Sequence, residues 1–245
     1  MSKARFIWSI IGVMLTAALL LAAVMWGYRM RPTDGVCASM AFIIEDRAER
    51  LYVTEGELTS LLQAEGLYPV GRKLDIVSLH RIEKTIAAHP MVRTAECYLT
   101  PRNEIKVRLT QRIPLLRVQT PGDAYFIDTD RRVMPVRAAV RDSVLLATGA
   151  VGVQMASGPL ADFAQWLRNN PFWHQRVHHV RVESPQMVYI YQKGNNPRVV
   201  MGNMHDYGKK LAKLRVFMEN GAEAAKDKNY TELDLRFKGQ VIGRN

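Results

Sequence analysis

Sequence signatures of catalysis are missing from this 245-residue chain. No serine is followed three residues later by lysine, the helical spacing that brings both groups to one point in penicillin-binding enzymes. No Gly-x-Ser-x-Gly elbow occurs, which removes the commonest hydrolase signature. There is no HExxH and no close cysteine pair, and the adjacent His178 and His179 point to opposite faces if they lie on a strand. Glycine-rich phosphate loops that open a helix are lacking too, since "GNNP" joins two predicted strands. Cysteine is scarce. Cys37 and Cys97 cannot build a disulfide framework, and Cys97 falls on the apolar face of a predicted strand, where a small buried thiol is the ordinary explanation. The reading is therefore of a chain that is not an enzyme, with no catalytic residue, no cofactor and no metal.

One long uncharged run is present. Phe6 to Trp26, flanked by Lys3 and Arg5 and then by Arg29 and Arg31, would reach about 30 Å as a helix, the thickness of a hydrocarbon core. Its length and its exit through Trp26, Gly27 and Tyr28 favour a retained anchor over a cleaved signal peptide. The expectation is a short cytoplasmic tail over 1–5, a single transmembrane helix over 6–26, a linker over 27–39, and the bulk exported to the periplasmic side of a cell inner membrane. The formal charge of +11 would suggest nucleic acid in a cytosolic protein. Export argues against that and favours anionic lipid, wall polymer or acidic partners.

The remaining residues exceed a typical domain and read as two. "MAFIIE" is a short apolar strand. Thr54 with Glu57 forms a capping box before a helix that Gly66 ends. A second helix runs from about Ser78 to Ala88, stopped by Pro90. "MVRTAECYL" and "EIKVRLT" then alternate as two strands of a hairpin. Beyond Pro114 come closely spaced strands and two helices, one around "PLADFAQWLRN" and one from Asp206 to about Glu219. "DTD", Asp128 to Asp130, reads as a turn. Pro114 itself falls between two apolar strands with no loop between them, as a domain joint would. The expected fold is α+β: a single N-terminal transmembrane helix, a β-α-α-β-β domain over 40–112, and a mostly antiparallel β domain with two helices over 113–245.

This layout resembles the FtsQ/DivIB family of bacterial cell-division proteins, with a POTRA-like module as its first domain. The resemblance rests on "HPMVRTAECYLTPRNEIKVRLTQRIPLLRV", "GDAYFIDTDRRVMPV" and "YTELDLRFKGQVIGR". It departs at Gln111, where a glutamate is common. The resemblance implies a non-enzymatic divisome scaffold, concentrated at the septum, that binds the FtsB/FtsL pair through its β domain. It also implies partner contacts at Asp234, Leu235, Arg236, Phe237 and Lys238, where Arg236 and Phe237 match family positions that touch FtsB. Leu233, Leu235 and Phe237 alternate with Asp234, Arg236 and Lys238, as in a strand at a sheet edge that an incoming strand could extend. The plainer alternative makes Leu233, Leu235 and Phe237 core and leaves Arg236 solvated. Two other classes remain: a wall enzyme with an unrecognised site, and a POTRA-type chaperone of secreted proteins.

Overall fold

A computed structural model describes residues 13–25, 35–137, 140, 144–194, 196–221 and 230–245. Residues 13–25 are helical (α1). Among the described residues no helix is long and apolar enough to cross a membrane. The transmembrane helix expected over 6–26 is thereby corrected, and with it the expected fold class. The tail over 1–5, residues 6–12 and 26 of the run, and residues 27–34 of the linker lie outside the described residues. The fold is a sheet-rich mixture of α and β.

A three-stranded sheet comes first. Its strands are β1 (Ser39–Ile44), β2 (Val92–Leu99) and β3 (Glu104–Gln111), in the order β1-β3-β2, with α2 (Glu55–Ala64) and α3 (Leu79–Ala87) between β1 and β2 in the chain. Local chemistry sets these boundaries. The Thr54 hydroxyl accepts from the Glu57 N–H at 3.2 Å, capping α2, and Gly66 takes the left-handed conformation that ends it, with the Leu67 N–H returning to the Leu62 carbonyl. The box is only half closed: the Glu57 carboxylate turns instead to His89 at 3.2 Å and to Arg137. Burial alone would raise Glu57, but hydrogen bonds from Arg137 and His89 outweigh it and hold the carboxyl below its usual range. Cys97, half-buried on β2, has its thiol pushed up to about 12 by burial, with Glu83 and Cys37 adding to the shift, so it is not reactive as a thiolate.

The second sheet has nine strands in the order β12-β11-β10-β9-β8-β7-β4-β5-β6. They are β4 (Pro114–Gln119), β5 (Ala124–Asp128), β6 (Val133–Pro135), β7 (Leu145–Gly149), β8 (Val177–Ser184), β9 (Met187–Gln192), β10 (Arg198–Gly202), β11 (Glu232–Asp234) and β12 (Ile242–Arg244). The expectation of a mostly antiparallel domain with two helices understated the mixture. β4 with β7, β7 with β8, and β10 with β11 pair in parallel. Between β7 and β8 the chain forms a helical stretch from α4 (Val153–Met155) to α5 (Ala161–Arg168), kinked at Gly158 before Pro159, and then α6 (Pro171–His174). Helix α7 (Tyr207–Val216) follows β10. These helices bury Phe163, Leu167, Leu211 and Leu214 with Val180, Val188, Ile190, Leu233 and Leu235 in one core.

By compactness the described residues form two units. One takes in the residues up to Ile43 with Leu58–Ile86 and Glu96–Arg108; the other comprises Ile44–Glu57, Ala87–Ala95 and Leu109–Asn245. Both the C-terminal strands and the start of β4 belong to the second.

Candidate docking edge at the C-terminal strands

"TELDLRFKGQVI" folds as two short strands separated by a turn, where its alternation predicts one long strand. β11 lies inside the sheet. It runs parallel to β10, with Val199 opposite Leu233, and antiparallel to β12, with Leu233 opposite Gly243. β12 is the edge.

Alternation survives as far as Leu235, which is buried and donates its N–H to the Val200 carbonyl at 2.9 Å. There the ladder stops, because the Asp234 carboxylate accepts the Arg236 N–H at 3.0 Å, a local side-chain bond that competes with strand pairing. Gly239, in the left-handed region, completes the turn. Phe237, expected beside Leu233 and Leu235, is instead 45% exposed. Lys238 is exposed as well. The five residues expected to meet a partner therefore separate: Asp234 and Leu235 are interior, while Arg236, Phe237 and Lys238 reach solvent.

Asp234 organises this end of the sheet. Its side chain is fully buried and ion-paired to Arg236 at 2.7 Å and to Arg244 at 3.1 Å. Burial by itself would raise the carboxyl. The hydrogen bonds from Arg236, with the charges of Arg236 and Arg244, outweigh burial and hold Asp234 below the ordinary carboxylate range. Glu232 links Arg198 at 2.8 Å to Arg244 at 3.2 Å, so ion pairs cross-tie β10, β11 and β12. From α7, the Lys213 ammonium donates to the carbonyls of Leu235 and Phe237, fixing the backbone where it leaves the strand. Burial lowers the Lys213 pKa, and Asp234 offsets that only in part.

The two edges of the nine-stranded sheet differ. β6 contains Pro135, which has no N–H to offer and blunts that edge. β12, Ile-Gly-Arg, has no proline. Sequence reasoning missed β12. A signal was available in Gly243, since an added Cβ there would lie 2.4 Å from the Tyr230 ring, and a glycine inside a strand marks such a close approach.

Elsewhere in the unit, the joint between β3 and β4 is packed and bonded. β4 begins at Pro114, with only two residues between it and the end of β3, and the pairing with β5 is irregular between Pro114 and Leu116. Gln111, 1% exposed, accepts the N–H groups of Tyr52 at 2.6 Å and Val53 at 3.1 Å through Oε1. Its Nε2 donates to Asp46 at 3.2 Å and to the Arg50 carbonyl at 2.8 Å. A glutamate could accept the first two bonds but could not donate the second two, so glutamine is the residue this site requires. Next to it, Arg112 makes a buried ion pair with Asp128 at 2.7 Å, and the other Asp128 oxygen accepts the N–H groups of Asp130 and Arg132. Asp130 also takes both ends of the Arg93 guanidinium at 2.8 Å.

Two known families match successive parts of the chain. Residues 35–110 match the POTRA-like domain, and residues 113–244 match the domain described as FtsQ/DivIB, C-terminal related. No curated protein matches the chain. Both matched domains are of a non-enzymatic, scaffold type, and the second is a division-related one. More than half of the chain, including every strand from β4 to β12, lies under that second match, and the chain belongs to the FtsQ/DivIB family.

Proposed function

We propose that this protein is a divisome scaffold at the division septum that binds the FtsB/FtsL pair by strand addition to β12. The observation that carries this reading is an edge that is open among the described residues, without proline, beside a large exposed aromatic, Phe237. An unpaired edge supplies backbone donors and acceptors for an incoming strand, and neighbouring side chains select which strand enters. In this reading Phe237, Arg236 and Lys238 contact the partner, while Asp234 and Leu235 hold the turn that presents them. Aromatic and arginine side chains are the usual anchors of such interfaces. Residues 113–245 are the docking domain and residues 40–112 a POTRA-like module that supports recruitment, joined at Pro114.

Photo-crosslinking probes placed singly from Thr231 to Val241 in dividing cells test the proposal. Exposed positions such as Phe237 and Gln240 should give an adduct with FtsB, and buried Leu233 should not. Adducts absent throughout this stretch but obtained from probes on the blunted edge, at Val133 or Val136, would reject it.

A further inference from the structure

A cleft of about 400 Å³ opens beside the joint, at the starts of β4, β7 and β8. Its floor is apolar, formed by Leu115, Leu145 and Val177, and α5 walls it through Leu167. The charged side chains that line it, Arg50, Arg168 and Lys193, are all basic. His174 and His178 line it as well, and among the described lining residues there is no carboxylate. Arg50 is held by Asp46 at 2.9 Å and Glu49 at 3.1 Å, yet its Nε is buried with no acceptor. Arg168 and Lys193 make no ion pair among the described residues.

We propose that this cleft binds a phosphoryl anion of about pyrophosphate size. Unpaired cationic heads from α5 and the end of β9, over an apolar floor with no carboxylate among the described lining residues, describe a site short of negative charge. The cationic groups come from separate elements, so they approach a ligand from several directions. That suits the oxygens of a phosphate chain better than the flat fork of one carboxylate. The volume lies in the range of small-ligand sites, and the apolar floor leaves room for whatever carries the phosphate. The inference is independent of docking at β12.

Inorganic pyrophosphate is the probe, titrated calorimetrically into the full chain and into two double variants. Arg168→Gln with Lys193→Gln removes two charges at the cleft; Arg102→Gln with Lys106→Gln removes two elsewhere. All four residues carry solvent-accessible side chains, and unchanged circular dichroism and melting would verify that each variant folds. The cleft variant should bind at least tenfold more weakly, and the other within about twofold of the parent chain. Equal weakening in both would reduce the effect to diffuse positive charge and overturn the site, as would unchanged binding in the cleft variant or citrate binding as tightly as pyrophosphate. Displacement of pyrophosphate by phosphatidylcholine vesicles containing phosphatidic acid would assign the phosphate to a lipid, and displacement by a soluble sugar phosphate alone would assign it to a free metabolite.

Discussion

The joint and the C-terminal edge belong to one compact unit and treat polar groups in opposite ways. At the joint, Gln111 uses its side-chain oxygen and nitrogen on four partners, and Arg112 meets Asp128 out of water. At the edge, the ion pairs of Asp234 and Glu232 secure the interior side of β12, while among the described residues its outer side has no strand and Phe237 stands in solvent. Networks closed inward hold a fold together; a backbone left open beside an exposed aromatic is a place for another chain. The difference predicts that substitutions at the joint cost stability, and that those at the tip of the edge cost binding.

The largest stability effect should come from Arg112→Ala. It leaves the Asp128 charge buried and unpaired, at a cost of about 3–5 kcal/mol in urea unfolding. A loss under 1 kcal/mol would mean that water reaches Asp128 and that the joint is not closed. Gln111→Glu should follow at about 2–3 kcal/mol, because the Arg50 carbonyl loses its donor and a second carboxylate is placed against Asp46. If instead it stabilises the chain, the account of why glutamine occupies this position is wrong.

Asp234→Asn should cost less at neutral pH, about 1–2 kcal/mol, since its arginine partners are partly exposed. The sign of its pH dependence follows from the depressed carboxyl. The stabilisation is fully present above the unfolded pKa of about 3.9 and is lost as pH falls through the lower folded value. The stability gap between parent and variant should therefore narrow on acidification below about pH 4. A gap that stays constant down to pH 2 would show that Asp234 is not held ionised by Arg236 and Arg244.

The sequence made some of this contrast readable. Alternation in "EIKVRLT" located β3, Thr54 located the start of α2, and Pro114 stands at the start of a strand, where a missing N–H is tolerated. The edge was harder to read because its decisive facts are not local. "LDLRFK" keeps its alternation straight through the turn, and what ends the strand is the Asp234 carboxylate capturing the Arg236 N–H. That β11 is interior depends on pairing across the sheet, Val199 with Leu233 and Leu233 with Gly243, which no window of adjacent residues contains. The anchor expected over 6–26 rested on hydropathy and on the residues flanking the run, and among the described residues no helix is long and apolar enough to cross a membrane.

Phe237→Glu should change stability least, within about 0.5 kcal/mol, because the side chain is already half in water. Its effect on binding should be the greatest of all, and that measurement tests the account most directly. Titration of the FtsB/FtsL pair into the parent chain and into Phe237→Glu, with circular dichroism on both, should show a native spectrum and an affinity reduced more than tenfold, at least about 1.4 kcal/mol. A native spectrum with unchanged affinity would contradict docking at this edge.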